Sequence, residues 1–140
     1  MRKISVVISI LLITVTPAFS GVLNGLYKTN PSEETGGYLH IEFDACPDNK
    51  DLSCGTIESA IRKDGTENKE YEHLNKLMVW NMKDNGSGKY KGGKIWDPSD
   101  KNEDGSKKIY NSKMAVKGDI LRVDGCILFF CKGQDWKKID

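Results

Sequence analysis

Apolar side chains recur at every second position in short runs along this chain, and clusters of Gly, Asn, Asp and Pro interrupt the runs about every ten residues. A period of two places one row of side chains on each face of an extended segment, so each run reads as a half-buried strand. The clearest is residues 38–43, where Leu39, Ile41 and Phe43 alternate with Tyr38, His40 and Glu42. Further strands are predicted over residues 23–29, 55–62, 77–82, 90–96, 109–116, 120–124 and 134–139, which makes about eight. Asp84-Asn85-Gly86 and Lys117-Gly118-Asp119 supply turn chemistry between them. One short helix is the alternative for the polar stretch after residue 62. There Asp64 and Glu67 stand at capping-box spacing, and Tyr71, Leu74 and Met78 recur every three or four residues.

Short strands joined by tight turns predict an all-β domain, either a small antiparallel up-and-down barrel or a sandwich. Closure is the preferred reading. Tyr27 lies near the start and Trp136 near the end, where the last strand can pair with the first, and a closed sheet exposes no edge. An eight-stranded barrel has room inside for packed side chains or one small ligand.

Residues 1–20 do not fit this alternation. Met1, Arg2 and Lys3 precede an apolar run over residues 4–15, and Pro17, Ala18, Phe19 and Ser20 end the segment with small-x-small spacing. This is the pattern of a secretory signal peptide cleaved after Ser20. The run is too short for the roughly twenty residues of a membrane span, and Pro17 would break a helix there. The residue directly after Ser20 is Gly21 and not a cysteine that could carry a lipid, so residues 21–140 are expected as a periplasmic or secreted domain without a membrane anchor. At 140 residues there is enough chain for one domain, and 21 Lys+Arg against 20 Asp+Glu leaves no bias toward nucleic acid or disorder.

The four cysteines, Cys46, Cys54, Cys126 and Cys131, form two close pairs separated by a long gap. Export favours disulfides, and four cysteines allow three connectivities. Local pairing, Cys46–Cys54 and Cys126–Cys131, is expected because each span is short and carries turn residues or resembles a hairpin end. Loops of this size contribute roughly 2 kcal/mol each by the chain-entropy estimate. A zinc site is disfavoured, because structural zinc prefers two- to four-residue spacers and the first pair is further apart.

Met78, Trp80 and Met82 are placed by alternation on one strand face, with Trp96 and Trp136 on other strands. Together with Tyr27 and Tyr110 they are the candidate ligand-binding residues, a polarizable aromatic and thioether lining suited to an apolar molecule. The competing reading is that they fill the core. Arg62, Tyr110 or His40 would serve a carboxylate headgroup, whereas Arg122 points outward when Leu121 and Val123 point in. Residues 100–105 match the first half of a calcium loop, but Asn111 stands where a bidentate Glu is needed and Lys107 and Lys108 repel a cation. Gly92-Gly93 among Lys89, Lys91 and Lys94 lacks the spacing of a phosphate loop and reads as a bulge or a close backbone approach. His40 and His73 stand in no nucleophilic or metal-binding motif, and Glu42 and Asp44 share a strand face without a partner. No catalytic residue, metal or cofactor is therefore expected.

The segments KYKGGKIWDPSD, KIYNSKMAVKGDILRVDGC and CKGQDWKKI, with CPDNKDLSCGTI, EYEHLNKLMVWNMK and the Gly25/Tyr27 pair upstream, resemble the bacterial family catalogued as domain of unknown function 2147. The resemblance covers almost all of residues 21–140. It implies an exported lipocalin-like β-barrel that holds small apolar molecules without catalysis, and it supports the local cysteine pairing. Departures from the family pattern are Tyr27 in place of Trp, Asn75 in place of Gly, and an acidic insertion over residues 102–105. The expected function is binding of a small hydrophobic or amphipathic molecule. The alternatives are an interaction module with a filled core, using its outer face or the 97–108 loop, and an enzyme of unknown reaction drawing on His40, Glu42, Asp97 or Tyr110.

Overall fold

A computed structural model describes residues 9–13 and 21–140. The eight strands are β1 (Gly25–Lys28), β2 (Tyr38–Ala45), β3 (Ser53–Ile61), β4 (Leu77–Asp84), β5 (Lys89–Lys101), β6 (Lys107–Lys117), β7 (Ile120–Ile127) and β8 (Phe130–Lys138). Each pairs antiparallel with the next, and β8 returns to β1 to close an up-and-down barrel. The seam is short, with Tyr27 opposite Lys138 and Lys28 opposite Lys137. Two further backbone bonds extend it, from Leu26 N to Asp140 O at 2.7 Å and from Ile139 N to Leu26 O at 2.8 Å. Each of the eight predicted strands is present.

The alternation predicted for β2 sets the barrel's inner wall. Ile41 and Phe43 are buried and face Ile57 and Gly55 across the ladder, while Glu42 is exposed. One half of the barrel is packed solid around Trp136, Tyr27, Phe43, Leu121 and Met82, all nearly inaccessible to solvent. Tyr27 meets Phe43 edge-on at 5.7 Å between centroids, and Phe43 lies 6.3 Å from Trp136. Leu23 closes this end, its N–H donating to the buried Ser53 hydroxyl at 2.9 Å. The other end, bounded by residues 29–37, 62–76, 102–106 and the β7–β8 turn, is the mouth.

The short helix entertained for residues 62–76 does not form; the segment is a series of turns. Its backbone is needed elsewhere. The β3–β4 ladder reaches only from Ser53 to Thr56, so the rest of β3 would be left as an unpaired edge. The segment satisfies that edge through Arg62 N to Thr66 O, Asn68 N to Ala60 O, Ile57 N to Lys76 O and Asn75 N to Ile57 O, at 2.8–3.0 Å. Asp64 accepts from the Thr66 N–H and hydroxyl instead of capping a helix. Asn75 has φ 65°, a left-handed conformation that Gly and Asn adopt with least strain, so Asn suits this position.

Alternation fails in β4. Leu77 stands opposite Thr56 and Val79 opposite Gly55, so Met78 is the extra residue of a bulge, and Met78 and Val79 are both buried. Asn81, at φ 58°, shifts the phase again before the buried Met82. Trp80, opposite the exposed Lys94, therefore lies on the outer face, which corrects the expectation that Met78, Trp80 and Met82 share one side.

The cysteines pair as expected, Cys46 with Cys54 and Cys126 with Cys131 at Cα separations of 4.8 and 4.1 Å. The leader reading falls mainly on residues 1–8 and 14–20, outside the described residues. Among the described residues no helix is long and apolar enough to cross a membrane.

Candidate functional site

Above Trp136 the barrel is hollow. A cavity of about 230 Å³ has an apolar floor of Trp136, Val123, Ile95 and Met78 and a polar rim of Asp97, Asp100, Tyr110, Lys132 and Gln134. It shares Met78, Asp97, Asp100, Lys132 and Gln134 with a wider groove across the mouth that reaches residues 29–39, Arg62 and Tyr71. Strand periodicity builds the rim. Lys132, Gln134 and Trp136 occupy one inward row of β8, opposite Gly125, Val123 and Leu121 of β7. Gly125 contributes no side chain, and a Cβ there would touch Ile95 and Tyr110 at ordinary contact distance, so this position keeps the cavity open.

The acidic side of the rim comes from an irregularity in β5. Trp96 pairs with Ile109 and Lys101 with Lys107, so residues 97–100 bulge from the ladder; Pro98, without an N–H, fits such a position. Asp97 Oδ1 accepts from the Ser99 N–H at 2.9 Å and its hydroxyl at 2.7 Å. The Tyr110 hydroxyl donates to Asp100 Oδ2 at 2.7 Å, and Lys108 Nζ approaches the same oxygen at 3.5 Å. The Tyr110 hydrogen bond, with help from Lys108, holds the Asp100 carboxyl below its ordinary value. Burial, together with Asp100, pushes the Tyr110 phenol up, so its proton stays on oxygen at neutral pH. Trp136 Nε1 donates to Gln134 Oε1 at 2.9 Å, which leaves the Gln134 amide N–H groups as donors.

Of the candidate ligand-binding residues, Met78, Tyr110 and Trp136 line the cavity. Tyr27 and Met82 lie in the packed half. Trp80 and Trp96 face outward; Trp96 is buried there beneath His73, 4.9 Å away edge-on, and under Lys107 Nζ at 4.2 Å from the ring centroid. Asp97 stands among the sequence candidates only for an enzyme, and Lys132 and Gln134 do not stand among them. Their signal was the spacing of Lys132 and Gln134 from Trp136, hidden because β8 begins at Phe130 and not at residue 134.

His40 and Glu42 lie away from the cavity on β2, with Glu42 exposed on the outer face, and so do not join Asp97 and Tyr110. Arg62 is engaged by the Thr66 hydroxyl, the Glu67 carbonyl and Asn68 Oδ1 at 3.0–3.3 Å. Arg122 is exposed, as alternation predicts, and pairs with Asp124 and Asp135. The acidic residues 100–105 form a tight turn in which Asp104 accepts from the Ser106 N–H and hydroxyl at 2.9 and 2.6 Å. Among the described residues no group of three or more His, Cys, Asp or Glu is placed to hold a metal.

No match was found among curated proteins or among solved structures. A sequence profile described as "Uncharacterized protein conserved in bacteria (DUF2147)" matches residues 25–138, from the first residue of β1 to the last of β8. The chain therefore belongs to the bacterial DUF2147 family, and its conserved unit is the closed barrel just described.

Proposed function

We propose that this protein is an exported carrier or sensor that holds one small amphipathic molecule in the barrel without transforming it. The observation that carries the reading is the division of the interior, packed solid around Tyr27, Phe43 and Met82 at one end and hollow above Trp136 at the other. An apolar floor under a rim of fixed acceptors and donors suits a ligand with a short hydrophobic end and a polar head. The cavity lies below the roughly 300 Å³ at which drug-sized pockets begin, so the ligand is small or its head extends into the mouth. Tyr110 and Asp100 are engaged with each other, which leaves Lys132 and the Gln134 amide as rim groups to meet the head. Two disulfides and the leader pattern support an oxidising compartment outside the cytoplasm.

Native mass spectrometry of residues 21–140 recovered from an exporting host, followed by organic extraction, tests this. The expected result is a stoichiometric adduct that disappears in Gly125→Leu, a substitution aimed into the cavity. A clean apo mass that persists after incubation with fatty acids and other small amphipaths would overturn it.

A further inference from the structure

Charge is unevenly distributed around the barrel. The outward positions of β4–β6 carry Lys83, Lys89, Lys91, Lys94, Lys107 and Lys113, all exposed, and no carboxylate. Asp84 is registered with buried Tyr90, and Asp97 and Asp100 line the cavity. None of these six lysines makes an ion pair among the described residues. The nearest outward acid, Asp124 opposite Lys113, is held by Arg122 Nε at 3.4 Å. The acids of the outer wall lie on β2 and β3, as Glu42, Asp44 and Glu58, and on β7 and β8, as Asp124 and Asp135, both held by Arg122.

At the mouth end of this face, where Lys94 is level with Cys126 through Asn111, the β7–β8 hairpin ends in Ile127, Leu128, Phe129 and Phe130, at 55, 87, 100 and 87% exposure, while Lys83 and Lys89 lie toward the β4–β5 turn at the other end. Four consecutive uncovered apolar residues in a disulfide-closed turn are costly in water. The Cys126–Cys131 bond ties the base of the turn, and Leu128 accepts φ 53° at its apex. Ile109, the outward residue of β6 two positions before Asn111, which pairs with Cys126, is also half exposed.

We infer that the lysine face and this tip together dock the barrel on an anionic lipid bilayer. The tip is convex, so it suits a fluid partner that closes around it. Ile127 and Phe130 pair across the turn, so little backbone would be left unsatisfied in a low-dielectric interface. Two residues beyond the disulfide rung reach about 7 Å, within the roughly 5–10 Å depth of interfacial insertion. A short apolar insertion and a basic patch are each weak alone and hold a protein on a membrane together. A nucleic acid fits less well, since Trp96 is buried, Trp80 is half-buried, and the fully exposed rings, Phe129 and Phe130, stand on the tip and not among the lysines. Glu103 and Asp104 occupy the turn beyond the Lys101–Lys107 pair, so contact uses the flank of the β5–β6 hairpin.

Flotation of residues 21–140, which contain every strand, with phosphatidylcholine vesicles with and without phosphatidylglycerol tests the inference. The expected result is binding to the anionic vesicles only, weakening as salt rises. Each of Lys91→Glu, Lys94→Glu and Lys113→Glu should lower the partition coefficient by about fivefold or more. Phe129→Ser should lower it by about tenfold. Equal binding to neutral vesicles, insensitivity of the wild type to salt, or full binding by the lysine variants would overturn it. So would a vesicle-free dimer abolished by Phe129→Ser, which would assign the tip to a second copy. Duplex DNA binding as tight as vesicle binding, indifferent to the tip, would assign the face to another polyanion and overturn it as well.

Discussion

At Gly93 β5 passes so close to β4 that a Cβ would fall on the Met82 sulfur and the Trp80 carbonyl oxygen. Neither can yield easily, because Met82 is fully buried and the carbonyl belongs to the bulged backbone of β4. Gly92, at φ 80°, supplies the turn of backbone that brings Gly93 in, so the Gly-Gly pair has the structural role its sequence suggested. Gly93→Ala should therefore destabilise the barrel by about 1–3 kcal/mol, as overpacking a core does. The midpoint of urea denaturation measures this, and a midpoint equal to wild type would show that β4 relaxes freely. Of the ring- and sulfur-bearing candidates, residue identity alone could not separate cavity from core. Met78, Met82 and Trp136 have similar chemistry but differ in whether another side chain occupies the space in front of them.

Among the elements, β5 shows how an irregular strand makes a site. A regular ladder from Trp96 to Lys101 would follow simple alternation; the bulge instead brings both Asp97 and Asp100 to the rim. Tyr110 on β6 then holds Asp100 in place. Because the folded carboxyl titrates below its ordinary 3.8, its share of stability is present above that value and is lost as pH falls through the depressed one. Tyr110→Phe removes the largest cause, so the Asp100 carboxyl should rise back toward 3.8 in a carbon-13 NMR titration. An unchanged titration would mean that Lys108 and the Lys101 N–H set it without Tyr110. Strand existence was legible from the period of two, and so was the Gly92-Gly93 irregularity, but the bulges in β4 and at residues 97–100 of β5 were not. A bulge is a response to how a neighbouring strand curves, and that curvature is set by closure.

On the scale of the whole molecule, both disulfides are local and staple turns at opposite ends of the barrel, while distant parts of the chain are joined by strand pairing and the core. Reduction should lower the melting temperature by several degrees, since each loop contributes roughly 2 kcal/mol to a domain of this size. The barrel topology should survive, because the β1–β8 seam contains neither bond and the aromatic core around Trp136, Tyr27 and Phe43 is held by packing, although Cys46–Cys54 is buried at the packed end. Differential scanning calorimetry with and without reductant checks this; coincident transitions would show that the staples add nothing to the paired hairpins.

By itself, the sequence determined the number and order of the strands, the local cysteine pairing and the family, because alternation, turn residues and short spacers act between near neighbours. Only the tertiary structure decided which half of the barrel is packed and which is hollow. Only it sent residues 62–76 to pair with the open edge of β3, and only it gathered lysines from three strands onto one face that runs up to the level of an apolar tip. Those outcomes depend on ladder register and closure, where a one-residue shift exchanges inside for outside, and register is a relation between segments that no single segment carries.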